Sequence, residues 1–389
     1  MNETAIVYTQ APEAEVAARE LCERIAAELT SGPPDLIILF ASPRYDQPTL
    51  LRALQARCEP KLLVGASSAG EFTSDTQGEG LACALALRSD EMEFRVGVGT
   101  RLSEDRARAA RDIVASFQGL GVHAYSYRSA LVLADALAGH ADDLVEELIV
   151  ATSGKYQFFG GGAGDDAQFK RTQVFHGVEA LSDAAVAVEI ISKKPIGVGV
   201  GHGWEPASSA MRVTEVRGTV LVSLDGSPAA DVFEDHAKAT AQSFDRQQPL
   251  PFFLHNIIGV ATGDGHRLRV PLTVAEDGSI ACAAPIPVGA KVNIMRATSS
   301  SAVDAAERAT ASAIQALGAH RPKAALFFDC VATRLRMGES FGRELDAVRD
   351  LLGPAARYVG CNSHGQIARA AGQFGGFHNC TAVVCVFPE

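Results

Sequence analysis

The chain has 389 residues, 47% of them apolar and 21% charged, which suits two or three domains with a sizeable core and excludes a disordered protein. A net charge of −11 leaves no basic face for gripping phosphates, so nucleic acid is excluded as a partner and anionic lipid is disfavoured. No apolar run approaches the ~20 residues needed to span a bilayer, and MNETAIVYTQ has neither the basic nor the apolar region of an export signal, so a cytoplasmic protein is expected.

In chain order, three stretches share one pattern. The first opens with Val7-Tyr-Thr9 and a helical segment. An apolar run at 35–40, a second helical stretch, a run ending in a glycine loop at 61–71 and a final run at 81–87 follow. The second opens at 98–100 and repeats the order with runs at 130–135, 157–165 and 184–190. Ala110, Ile113, Val114 and Phe117 fall on one helical face there. The stretch 201–290 breaks the pattern, with short strands around turns at Gly218 and Asp225-Gly226 and a helix start at Pro228. The third copy opens at 295–298 and continues with runs at 324–329, 357–366 and 381–386. The runs are short and apolar throughout, as buried strands are.

The expected fold class is therefore α/β. Three related strand-helix-strand-helix-strand-loop-strand units, roughly 4–99, 93–200 and 291–388, form mixed sheets flanked by helices. A β-rich insert lies between the second and third.

The glycine loops at 65–70, 160–165 and 360–365 would stand at the carboxyl ends of strands, where open α/β sheets bind ligands. The GGGAG run at 160–164 could form an anion nest or only tight turns. No Gly-Lys-Ser/Thr follows it, and Asp165 and Asp166 would repel a phosphate; they are suited to capping the turn or meeting a ligand amine. Ser67 lies in a near miss for a hydrolase elbow, followed by a polar loop instead of a helix. Neither Ser67 nor Cys361 has a base that sequence can place, so no enzyme is expected.

Eight cysteines are scattered without a C-x-x-C pair, which implies reduced, mostly buried thiols and neither a disulfide framework nor a zinc site. Of the histidines, His123, His140 and His320 lie in polar connections. His202 stands beside Trp204, His364 in the third glycine loop, and His378 before the last strand. No paired spacing marks a multi-histidine metal site. A single imidazole against an apolar wall is either a hydrogen-bonded structural group or the form of a haem axial ligand.

Taken together, the motifs at 64–71, 160–165, 201–204, 213–229, 360–366 and 377–381 resemble the FIST family of bacterial sensory proteins. The resemblance implies an N-terminal sensory domain over 1–204 and a C-terminal domain over 205–389. It implies a ligand sensor that acts in trans on a histidine kinase or a cyclic-di-GMP enzyme. Stand-alone members of this kind include haem-binding nitric-oxide sensors that control a histidine kinase in two-component, biofilm-linked signalling; others are proposed to bind amino acids.

The chain departs from the family's usual Thr-Tyr-Gly-Glu closing loop, reading Ser363-His364-Gly365-Gln366. That departure raises His364 as the haem ligand, ahead of His202 and His378, with Trp204 nearby. The loop residues Ser67, Ser68, Gly161, Gly162, Asp165, Cys361 and Asn362 would line the ligand site. The alternative is an amino-acid or small-anion module without haem, with Asp165 as the amine partner. A homodimer is compatible with either.

Overall fold

The computed structural model describes residues 2–122, 124–139, 141–263, 265–369 and 376–389; His123 and His140 lie outside them. The first unit runs β1 (Asn2–Thr9), α1 (Ala14–Glu28), β2 (Leu36–Ala41), α2 (Gln47–Cys58), β3 (Leu62–Ser67), a hairpin of β4 (Glu71–Thr73) and β5 (Gln77–Gly78), and β6 (Ala82–Ser89). Its strands lie in the order β1-β6-β2-β3, with β2 and β3 parallel. The second unit repeats this with β7 (Met92–Thr100), α3 (Arg106–Val114), β8 (Tyr127–Ala134), α4 (Ala141–Ala151), β9 (Gln157–Gly162), the hairpin of β10 (Val174–His176) and β11 (Glu179–Leu181), and β12 (Ala184–Ser192), in the order β7-β12-β8-β9.

The third unit differs from the sequence reading at its first strand. The expected opening at 295–298 overlaps a strand, Lys291–Arg296, that belongs to the insert's sheet. The opening strand is instead β13 (Gly197–Gly201), which pairs with the final strand Ala382–Pro388. The reason is steric. A Cβ on Gly197 or Gly199 would sit 1.8 Å from the carbonyl oxygen of Ala313 or Ala309, on the Ser299–Ala316 helix. Gly97 and Gly99 leave the same room for α3, at 2.1 and 2.5 Å from Ile113 O and Ala109 O. Thr298 still starts the third unit's helix, in a capping box with Ser301. The strands Pro322–Cys330 and Arg357–Ser363 then pair in parallel, with the helix Phe341–Leu352 between them in the chain.

Each sheet is completed by a hairpin from another unit. β10–β11 of the second unit adds to β3 of the first. The Gln366–Arg369/Gly376–His378 hairpin of the third adds to β9 of the second. β4–β5 of the first adds to Arg357–Ser363 of the third. The inner faces of all three sheets meet in one core, where Phe40 and Phe328 pack edge to face at 5.5 Å. Helix pairs cover the outer faces in three separate clusters. Burial on both faces is why the strands read as apolar throughout.

The insert forms a nine-stranded antiparallel sheet with its own apolar cluster around Phe233, Phe252 and Phe253. It docks through a buried ion pair between its Arg269 and Asp142 of α4, and Asp142 also accepts a hydrogen bond from Phe377 N at 3.1 Å. Among the described residues no helix is long and apolar enough to cross a membrane.

The cysteines correct the expectation of fully reduced thiols. Cys22 of α1 and Cys58 of α2 form a disulfide, with Cα atoms 5.4 Å apart; the other six are free and buried. Nothing in their 36-residue spacing signals it, because only the packing of α1 on α2 brings them together.

Gly199→Ala should cost about 3 kcal/mol or more, because a backbone carbonyl has to move to admit the methyl group. Urea unfolding measures it. A variant as stable as the parent would show that the helix does not lie against this strand.

Candidate functional site

The three glycine loops follow three equivalent strands. In the parallel pairs, Ala41 lies opposite Ser67, Ala134 opposite Gly162 and Asp329 opposite Asn362. Two residues further on stand Ala69, Gly164 and His364. The loops interlock through backbone hydrogen bonds. Gly164 N donates to Ser67 O at 2.8 Å, Asn362 N to Gly70 O at 2.8 Å, Ala69 N to Asn362 O at 2.9 Å, and Gly162 N to Gly365 O at 2.8 Å. The three loops therefore meet at one place in the fold.

Most of the expected ligand groups are used by that interlocking. Gly161 and Gly162 make room for the third loop: a Cβ on Gly162 would lie 2.8 Å from His364 O. The N–H groups of Gly162 and Gly164 are both taken by backbone carbonyls of the other loops and are not open to an anion. Ser67 Oγ accepts from Gln173 N at 2.9 Å, and Ser68 Oγ donates to Glu71 at 2.5 Å. Cys361 is buried, and burial holds its thiol well above the usual range. Asp165 turns the chain: its carboxylate accepts from the backbone N–H of Phe169 (2.9 Å), Lys170 (2.6 Å) and Arg171 (2.9 Å). Three of its acceptor positions are thereby filled.

His364 is buried with its ring stacked on Phe169, centroids 4.5 Å apart. Its Nε2 lies 3.6 Å from Asp165 Oδ1, beyond hydrogen-bond reach. Burial pushes its pKa down to about 4, against the pull of Asp165 and Asp135, so the imidazole is neutral at pH 7. It borders a cavity of about 100 Å³ with Leu137, Phe169, Val270, Leu272 and Val331.

Haem does not fit these residues. The cavity is smaller than the ~300 Å³ at which organic ligand sites begin, and the Nε2 that would hold iron faces a carboxylate. His202 uses both ring nitrogens, Nδ1 accepting from Trp204 N at 3.3 Å and Nε2 meeting His266 O at 3.2 Å. His378 is buried between the hairpin and the insert, where burial holds it neutral with a pKa near 3. Trp204 packs in the core with Ile257 and Met295, under the Arg336 guanidinium at 5.3 Å.

A second space lies outside the carboxyl ends of β2 and β3. It is a groove of about 660 Å³ between the 43–48 segment and the 165–173 loop. Gln47 and Asp166 line it, both side chains more than nine-tenths buried. Gln47 Nε2 donates to Ser42 O at 2.8 Å, while its Oε1 has no partner. Asp166 Oδ2 meets Ser42 Oγ at 3.3 Å and Arg44 at 3.5 Å, while its Oδ1 has none. Burial raises the Asp166 pKa, with Arg44 opposing. The exposed Lys170 and Arg171 stand on the same groove. The sequence offers Asp166 as an amine partner, whereas Gln47, Arg44, Lys170 and Arg171 carry no motif that would mark them.

Glu71, behind these loops, has its carboxyl pushed up to about 8 by burial, against hydrogen bonds from Ser68 and Leu81 N. Unfolded, the group titrates near 4.5. The native state thus keeps a proton that the unfolded chain releases between these values, and stability falls as pH rises through that window. Glu71→Gln should remove on the order of 3 kcal/mol of that fall between pH 5 and 8. Urea titrations at both pH values measure it, and unchanged slopes would mean an ionised Glu71 in the fold.

The ~100 Å³ cavity further predicts that haem titration yields no saturable Soret band at one equivalent. A stoichiometric low-spin spectrum would overturn that expectation.

Three comparisons bear on identity. An uncharacterized protein of Methanocaldococcus jannaschii is 39% identical over 71 residues, which is 18% of this chain and only 14% of that protein. A cyanuric acid hydrolase from A. caulinodans aligns over 99% of both chains at 8% identity with a TM-score of 0.33, and another cyanuric acid hydrolase structure aligns over the whole of both at 8% and 0.35. Likeness at that level carries no argument about chemistry. The FIST N domain profile matches residues 35–227 and the FIST C domain profile residues 229–369. The chain therefore belongs to the FIST family, whose domains are sensory modules of signal transduction.

Proposed function

We propose that this sensory protein binds a small zwitterion of the amino-acid class in the groove between the 43–48 segment and the 165–173 loop, and that it regulates a histidine kinase or cyclic-di-GMP enzyme in trans. The observation that carries the reading is the pair of buried acceptor atoms without partners, Gln47 Oε1 and Asp166 Oδ1, in one groove. A buried acceptor left bare costs about 1–3 kcal/mol, which a ligand ammonium group would recover. Lys170 and Arg171 supply the opposite charge for a carboxylate. The groove volume matches a small organic ligand. Family membership supports a sensor, and this arrangement favours the zwitterion over haem and nitric oxide.

Calorimetry against the twenty amino acids tests the reading. One or a few should bind, and at 100 times Kd should add about 2.7 kcal/mol of stability. Asp166→Asn should weaken that binding at least tenfold, and Lys170→Ala with Arg171→Ala should do the same for the carboxylate. Binding that is absent throughout, or indifferent to Asp166, would overturn it.

A further inference from the structure

Cys330 ends the Pro322–Cys330 strand, where the chain turns into the Val331–Met337 helix. The antiparallel register sets Phe328 opposite Val383. Continued by two residues, it brings Cys330 beside Thr381, the neighbour of Cys380. Both cysteines are buried, 3% and 4% exposed, in the apolar cluster that joins the insert to the third unit. Cys380 holds φ at +50°, a backbone region that non-glycine residues seldom adopt. The two cysteines thus share one buried apolar cluster, on the turns that face each other at the ends of the two strands. The polar influence of neighbouring Cys380 brings the Cys330 thiol down to about 7, although burial alone would raise it.

Cys330 also stands in the wall of the cavity beside His364. Leu137 and Phe169, 41% and 43% exposed, stand in the same wall, so the cavity reaches the surface there. The space is large enough for a molecule the size of hydrogen peroxide and too small for most organic ligands. The other free cysteines contrast with it. Burial pushes Cys83, Cys361 and Cys385 well above the usual range and Cys282 up to about 12.

We propose that Cys330 and Cys380 form a dithiol that hydrogen peroxide entering this cavity converts to a disulfide. The Cys330 thiolate attacks the proximal peroxide oxygen. The O–O bond breaks, Cys330 becomes a sulfenic acid, and the leaving hydroxide takes a proton to form water. The Cys380 sulfur, giving up its proton, then attacks Cys330 Sγ and expels the hydroxyl as a second water. In sum, two thiols and one peroxide yield one disulfide and two waters. The resulting bond would tie the end of the Pro322–Cys330 strand to the turn before Ala382–Pro388, in the wall that faces His364. This site is separate from the zwitterion groove and does not depend on it.

Peptide mapping after hydrogen peroxide treatment and differential alkylation of the full chain tests the proposal. The expected product is a Cys330–Cys380 linked peptide, with Cys83, Cys282, Cys361 and Cys385 still reduced. Cys380→Ser should stop the reaction at a dimedone-reactive Cys330. Oxidation that falls first on another free cysteine, or a wild-type chain that keeps both thiols at a peroxide level that oxidises free glutathione, would overturn it. Because the mapping is done on wild-type protein, a variant that fails to fold leaves the result decisive.

Discussion

The architecture depends on the open edge of a parallel strand pair. In each unit the second parallel strand, β3, β9 or Arg357–Ser363, would expose a row of unpaired N–H and C=O groups, and an unpaired edge invites aggregation. Each edge is instead covered by a hairpin from another unit, and the donations run in a closed cycle. No unit has a complete sheet without the hairpin that one other unit donates. The shared central core, with residues from all three sheets, makes the same demand on the apolar side.

The closed cycle also creates the site. The hairpin of each unit follows directly on its glycine loop, so sending the hairpin to a neighbouring sheet carries the loop across the boundary. The three loops are thereby forced into backbone contact, and small residues at Gly162 and Gly164 are what the contact tolerates. The second unit has the longest connection between strand and hairpin, 163–173. Asp165 folds it back on itself, with Asp166, Ala167 and Phe169 all at positive φ. Such backbone is retained where surroundings over-determine it, often at functional positions. This one loop borders both spaces, with Asp166 on the polar groove and Phe169 on the apolar cavity.

A sensor needs a ligand site whose occupancy can be felt elsewhere. Here the groove lies between the first and second units, while the thiol pair lies between the third unit and the insert. The 165–173 loop lines the groove and, through Phe169 stacked on His364, the cavity that Cys330 also borders.

Much of this was legible in the chain. The repeated order of apolar runs and the glycine loops follow from local preferences that hold wherever the segment lies. The opening strand of the third unit was misplaced because 97 residues, 202–298, separate β13 from its helix, so adjacency in sequence no longer reported adjacency in space. The Cys22–Cys58 bond and the bare acceptors on Gln47 and Asp166 depend on packing between segments distant in sequence. Periodicity and turn chemistry act over a few residues, so the amino-acid order alone determined the units and their loops. Which sheet each hairpin joined, and which polar atoms were left without partners, is a property of long-range packing and was decided only by the folded chain.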